Sequence, residues 1–297
     1  MVLESWKKHP LVFWVFALPG TFWLFVFFLA PLGFIWLMSF GEKRGIVDIE
    51  ITWTLANYLR AFEPVYLGII WKSVWISVLV TLLCLVVAYP VAFAIAFAKP
   101  KWKPWLLLGV ILPFWVNMLI RTYALIAVFR TRGYVNFALE WIYEALWLDR
   151  LFGPFQPLTL LYNNFAVVAG ITYVFMPFMV LPLYASIEKL DRSYLEASLD
   201  LGASQFRTFW KVTLPLTMPG VVSGVILVFI PALGSFLIPD LLGGTNAQMI
   251  GNVIARQFKA ANDWPFGAAL SFLLMYATFG ALALRSLVAG RKSGMEV

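Results

Sequence analysis

Long apolar runs constrain this chain more than any other feature. About 18 consecutive apolar residues suffice to cross a bilayer as a helix. Runs over 11–40, 67–97, 105–129, 158–187, 214–238 and 266–289 all exceed that length. In hydrocarbon every backbone N–H and C=O must be satisfied within the protein, which leaves helices or closed barrels. A barrel would read as short alternating segments, and the sequence has none. The expected fold class is therefore an all-α membrane protein with six transmembrane helices. Kinks are expected at Pro19-Gly20 and Pro31 and breaks at Pro177 and Pro182, while Pro90, Pro219 and Pro231 also fall within the runs.

Six spans put both termini on one side. The two tails with Arg285 at the end of the last run, the lysine turn Lys99–Lys103 and the stretch 188–215 together carry twelve basic residues and six acids. The opposite side carries eight basic residues and nine acids. Basic residues gather in short cytoplasmic loops, so the first side is expected to be cytoplasmic. The net charge of +7 reflects this asymmetry and does not call for a nucleic-acid partner. The expected layout is a cytoplasmic tail 1–10, a first transmembrane helix 11–40, a five-helix core 67–289 enclosing a cytoplasmic loop 188–215, and a tail 290–297. The polar stretch 41–66 is expected as a loop. Lys7 and Lys8 precede an apolar run too long for a signal peptide, so it is expected to be retained. One cysteine, Cys84, and one histidine, His9, exclude a disulfide framework and a histidine-based metal or acid–base centre. No metal site is expected.

Within 133–150, Asn136, Glu140 and Glu144 recur every four residues opposite Tyr134, Phe137, Trp141 and Ala145. This is an amphipathic helix for a membrane surface or for another span. Inside the spans, Asn117 and Arg121 are one turn apart. A buried arginine repels a cation, so Arg121 is expected to pair with a carboxylate, with carbonyls, or to snorkel outward. Lys72 is expected to snorkel. Phe229, Leu233, Phe236 and Asp240 follow at steps of four, three and four, which would place them on one helix face. Asp240 either takes a substrate charge, pairs with Arg121, or begins a turn after Pro239. Tyr173 and Phe175 flank the approach to Pro177. The final outer loop carries Asn246, Gln248, Asn252, Arg256 and Asp263.

The stretch Glu196–Pro215 is unusually polar for this chain. Ser193 and Glu196 fit a capping box. Gly202 can take the left-handed conformation that ends a helix. Ser204 can cap a second short helix over 205–211, and Pro215 suits the first turn of span five. Ala197, Ser198 and Ala203 are small enough for another surface to approach. Read by themselves, these residues describe either a well-capped connector or a docking element.

The pattern Glu196-Ala197-Ser198, Gly202, then nine residues, Val212-Thr213-Leu214-Pro215, resembles the signature loop of bacterial ABC-importer permeases. Ser198 and Val212 stand where that family has alanine and isoleucine. Leu112–Tyr123, Leu181–Leu190, Leu214–Gly220, Pro239–Gly244 and Asp263–Gly267 resemble the polyamine-importer permeases. The resemblance implies a type I importer fold with a cytoplasmic coupling helix, in a bacterial inner membrane. It implies as partners a dimer of ATPase subunits, a second homologous permease and a periplasmic substrate-binding protein, besides membrane lipid. The chain has no phosphate-binding loop of the Gly-x4-Gly-Lys-Ser/Thr type. It is therefore expected to be a transport subunit without catalytic residues or a cofactor of its own, with ATP and Mg used by the partner ATPase. Coupling falls to Glu196, Ala197, Ser198, Gly202, Ala203 and Ser204. Phe229, Phe236, Asp240, Tyr173 and Phe175 are candidates for the polyamine pathway, since aromatic faces and a carboxylate suit a flexible cation. Two other readings stand beside this one: an ABC permease for iron, phosphonate or another small polar substrate, and an ATPase-independent secondary transporter.

Overall fold

The computed structural model describes residues 10–45, 48–147 and 149–293. Most of the expected N-terminal tail, with Lys7, Lys8 and His9, and positions 294–297 of the expected C-terminal tail lie outside the described residues. The first run is helical in three consecutive parts: α1 (Pro10–Leu24), a π-helical turn (Phe25–Leu29) and α2 (Ala30–Met38). Pro31 has no N–H to return to the preceding turn, and the wider π turn sits where that bond is missing. Pro19 lies inside α1 without interrupting it.

The stretch 41–66 holds more structure than a polar loop. Strands β1 (Gly41–Lys43) and β2 (Ile49–Ile51) pair antiparallel with Glu42 opposite Glu50, and a short helix α3 (Ala56–Ala61) follows. A side chain on Gly41 would place its first carbon 2.9 Å from the Glu50 carbonyl oxygen, so the pairing depends on glycine there. Helix α4 (Pro64–Ala96) then runs for 33 residues with Pro90 inside it. Ser73, Ser77 and Thr81 are buried on one face, and each hydroxyl donates to the carbonyl four residues earlier at 2.7 Å. The helix thereby carries polar side chains without leaving a donor unmatched.

The third run is not one straight span. Helix α5 (Lys103–Trp115) stops at Val116 and Asn117, both extended, and α6 (Met118–Phe129) restarts. The axis turns by 93° between 103–115 and 118–145. Asn117 makes the restart possible by accepting a hydrogen bond from the Leu119 N–H at 2.8 Å, one of the donors a helix start leaves open. The amphipathic helix α7 (Tyr134–Ala145) follows, with Tyr134, Phe137 and Trp141 exposed and Asn136 buried. A short α8 (Asp149–Phe152) comes next.

Helix α9 (Asn164–Glu188) starts later than its apolar run, because Asn163 caps it by accepting from the Ala166 N–H at 3.0 Å. The expected breaks at Pro177 and Pro182 are absent, and α9 continues through both. The polar stretch contributes α10 (Arg192–Asp200), α11 (Gln205–Thr208), a π-helical turn (Phe209–Thr213) and α12 (Leu214–Leu216). The fifth run forms α13 (Met218–Leu233), a break, and α14 (Leu237–Leu242). A 3-10 turn (Thr245–Ala247), α15 (Ile250–Lys259) and α16 (Trp264–Ser293) complete the order. Among the described residues four helices are long and apolar enough to cross a membrane, or six if each bent helix pair counts as one span.

The chain divides into two compact units, 1–67 with 253–297, and 68–252. In the first, α16 packs on α2, α3 and β1. Arg60 bridges Asp263 at 2.8 Å and lies 4.0 Å from the Phe266 ring centre, and the Trp36 indole donates to the Tyr276 hydroxyl at 2.7 Å. In the second, α9 is central and its broadest contact is with α13. A side chain on Gly220 would meet Ser186 Cβ at 2.4 Å, and one on Gly224 would meet Met179 Sδ at 2.6 Å. Glycines four apart let two backbones approach, which is how helices hold together in lipid, where apolar surface gains little by leaving apolar solvent. Val80, Cys84, Ala88 and Ala92 of α4 join Ile171, Met179 and Leu183 of α9 in the same buried cluster.

Candidate functional site

The polar stretch after α9 is a built notch. Lys103 reaches both carboxylate oxygens of Glu188, at 2.8 and 2.9 Å, fastening the lysine turn to the end of α9. Helix α10 is started by Asp191, whose carboxylate accepts from the Ser193 N–H at 3.0 Å. That bond holds the Asp191 carboxyl below the usual aspartate range. The expected capping box is not formed. Asp191 occupies the cap position, Ser193 is already inside the helix, and Glu196 projects from its surface with no hydrogen-bond partner among the described residues. An aspartate two residues earlier is the stronger acceptor and sets the start of the helix.

Gly202 takes φ +81° and ends α10. Its N–H donates to the Leu199 carbonyl at 2.8 Å, and the Ala203 N–H donates to the Ser198 carbonyl at 3.2 Å. Ser204 caps α11 by accepting from the Arg207 N–H at 3.3 Å, as its spacing implied. The Ser198 hydroxyl meets that of Thr208 at 3.0 Å and ties α10 to α11. Between them lies a cavity of about 480 Å³ lined by Tyr194, Ala197, Ser198, Gly202, Ala203 and Arg207. Small side chains and one left-handed glycine share this lining with the larger Leu201, Lys211 and Val212.

The notch continues into a bend. The helical path from Gln205 runs through Leu216 and then turns by 70° into α13. Pro215 therefore lies in the short turn α12 ahead of the bend, and the fifth span begins at Met218. Thr217 stands at the bend and is fully buried. Its hydroxyl is 2.7 Å from the Tyr89 hydroxyl and 2.8 Å from the Thr213 carbonyl. Tyr89 also packs edge-on against Phe209, with ring centres 5.1 Å apart. One buried pair of hydroxyls thereby joins α4 to the bend ahead of α13. Sequence reasoning missed Tyr89, Thr217 and Gly224. The Gly220-x3-Gly224 spacing was the available signal for close packing; nothing in the sequence joins residue 89 to residue 217.

The proposed aromatic and acidic face is not assembled as expected. Helix α13 ends at Leu233, and Gly234–Phe236 is non-helical before α14 begins. Phe229 and Leu233 therefore lie on one helix, Phe236 at a corner and Asp240 in the first turn of another. Asn252, buried, fixes that corner by donating to the Phe236 carbonyl at 2.8 Å. Phe236 and Asp240 are exposed, Phe229 is half-buried, Tyr173 is exposed, and Phe175 packs with Phe178 at 5.9 Å between ring centres. Arg121 is buried, and its guanidinium carbon lies 5.8 Å from the Phe114 ring centre. Neither a carboxylate nor a carbonyl pairs with it, and no ion pair joins it to Asp240 among the described residues. Asn117 caps α6, and Lys72 donates to the Asn246 carbonyl. Among the described residues no group of side chains could hold a metal ion.

Multiple apolar helices, close glycine packing and a notched polar loop between two spans describe a multi-pass helical membrane protein. The chain belongs to the family of binding-protein-dependent transport system inner membrane components, whose model matches residues 53–289. It is 42% identical over 252 residues to the spermidine/putrescine transport system permease protein PotB of Escherichia coli (strain K12), covering 85% of this chain and 88% of that protein. It is 41% identical over 249 residues to PotB of Haemophilus influenzae, covering 84% of each chain. The inner membrane ABC transporter permease protein YdcU of Escherichia coli is 30% identical over 279 residues, covering 86% of this chain and 88% of that one. The fold is similar to that of a chain in the crystal structure of a bacterial ABC transporter involved in the import of the acidic polysaccharide alginate. The TM-score there is 0.71 at 16% identity, with 98% of each chain covered. The chain is thus a multi-pass inner membrane permease of this family.

Proposed function

We propose that this chain is the permease subunit of an ATP-driven importer of polyamines, spermidine or putrescine, with the 188–216 loop on the cytoplasmic side. The observation that carries the coupling role is the notch itself: a capped helix, Gly202 at φ +81° and a hollow between α10 and α11. Ala197, Ser198, Gly202, Ala203 and Ser204 form the seat for a partner ATPase that uses ATP and Mg, and exposed Glu196 is available at its edge. Tyr89 and Thr217 pass the displacement to the spans. The polyamine reading is supported by the identity to relatives named for spermidine and putrescine. Phe236, Asp240 and Tyr173 are exposed and available to the pathway, and Phe229 and Phe175 stand behind them. A second homologous permease and a periplasmic binding protein complete the assembly.

The test is ATP-dependent uptake of labelled putrescine and spermidine by vesicles carrying the whole transporter, with ferric ion as the competing substrate. Uptake of a polyamine and not of iron is expected. Uptake independent of ATP would place the chain among secondary transporters.

A further inference from the structure

Two irregular stretches of the second unit border one apolar groove. Pro90 has no N–H to give the Val86 carbonyl, and its ring crowds that oxygen. The π-helical turn Phe209–Thr213 is wider than the α-helices on either side of it. The groove between them measures about 680 Å³. Val86, Pro90, Phe93 and Ala94 line one wall, and Trp210 and Leu214 belong to the other; none of the lining side chains is charged.

The lining phenol, Tyr89, is already matched, because its hydroxyl meets that of the buried Thr217 at 2.7 Å. Its ring stands edge-on to Phe209 and joins the two walls. Val86 and Trp210 are exposed, so the groove is open to whatever surrounds the spans. The stretch of α4 that lines it, Leu85 to Ala94, covers about 14 Å at the helical rise, or about half the hydrocarbon thickness of a bilayer. That is the reach of a lipid chain within one leaflet. A helix crossing from another chain would call for a slot about twice as long.

Unpaired cations gather beyond one end of the groove. Phe93 stacks on Phe97 with ring centres 4.4 Å apart, and the Arg192 guanidinium carbon lies 4.9 Å from the Phe97 ring centre. The exposed Arg192 side chain has no ion-pair or hydrogen-bond partner among the described residues. Lys99 and Lys101 follow the end of α4, exposed and outside any ion pair among the described residues, whereas Lys103 is taken by Glu188. The acid beside Arg192, Asp191, is engaged in capping α10. Basic groups at the end of a membrane helix attract anionic headgroups. An apolar slot one leaflet deep with free cations past its end fits a molecule that carries both an acyl chain and a phosphate. We propose that the groove holds an acyl chain of an anionic phospholipid whose phosphate is held by Arg192 and the lysine turn. The site is made by this chain alone and depends on neither the substrate nor the ATPase.

The test is native mass spectrometry of the detergent-solubilised transporter, titrated with phosphatidylglycerol or with phosphatidylcholine of the same acyl chains. The wild type is expected to hold phosphatidylglycerol at least about tenfold more tightly. K99Q/K101Q/R192Q is expected to bring the two lipids within about twofold, while Arg150→Gln, outside the groove, keeps the difference. Ala94→Trp and Val86→Trp each fill the groove and are expected to weaken both lipids. Both positions are exposed, so the added ring displaces no packed neighbour, and the thermal transition in lipid-free detergent checks that each variant is folded. Equal binding of the two lipids by the wild type overturns the proposal. So does tight phosphatidylglycerol binding that survives both tryptophan variants. Loss of a copurifying permease chain from either variant, with lipid binding unchanged, overturns it in favour of a protein helix in the groove.

Discussion

Gly202 is the residue on which the notch turns. At φ +81° a β-branched side chain is strained whatever space surrounds it. Gly202→Val is expected to reduce transport at least about tenfold, equivalent to about 1.4 kcal/mol, while the protein still inserts and assembles; uptake assays beside size-exclusion profiles check this. Asp191 carries the start of the same helix. Its carboxyl is held below the usual aspartate range by the Ser193 N–H. Its contribution is therefore complete above the ordinary aspartate value of about 3.9 and is lost as pH falls through the lowered one. In Asp191→Asn the amide oxygen caps at every pH, so the acid-side loss of ordered helix is expected to disappear, as hydrogen exchange of α10 would show. The aspartate was visible in the sequence but was passed over for Ser193 and Glu196. Three residues within six positions, Asp191, Ser193 and Glu196, offer acceptors near one helix start, and only the backbone path decides which of them faces the open N–H groups. Asp240 is exposed on α14 and unpaired with Arg121. Asp240→Asn is expected to weaken uptake of longer polyamines more than of putrescine; equal kinetics for both would remove it from the pathway.

At the scale of elements, the spans were legible from apolar length alone, and their irregularities were not. Pro177 and Pro182 sit within an unbroken α9, while Val116–Asn117, with no proline at the break itself, interrupts the third run. The difference is local. A proline inside a packed helix forfeits one bond that neighbours and bending can accommodate, whereas Asn117 offers an acceptor that starts a new helix. Likewise the even spacing from Phe229 to Asp240 presumed one helix, and the corner held by Asn252 comes from 16 residues further along. Two interactions link the loop to the spans and can be tested there. Tyr89→Phe removes the hydroxyl that meets Thr217 and is expected to cost about 1 kcal/mol of stability, with uptake per assembled transporter reduced more than assembly. Gly220→Val would drive a side chain into Ser186 and the Pro182 carbonyl. It is expected to lower the thermal stability of the detergent-solubilised complex, read as an earlier unfolding transition.

For the whole molecule, two polar loops carry different side chains. They lie at opposite ends of α5 and α6. One is lined in part by small residues, with Glu196 exposed on α10 beside it in sequence; the other carries Arg130 and Arg132. The family and its mostly helical architecture were legible because the signature spacing and the apolar runs are written in contiguous sequence. The Tyr89–Thr217 contact and the hydrogen bonds between Asn136 and Leu158 were not, because each joins residues far apart in the chain. The central claim is that energy enters through the 188–216 loop. It is tested most directly by measuring polyamine-stimulated ATP hydrolysis and polyamine uptake together in reconstituted transporter, wild type against Gly202→Val. The account predicts that the wild type couples the two and that Gly202→Val, still assembled with its ATPase, loses both. Wild-type uptake and stimulation in Gly202→Val would contradict it.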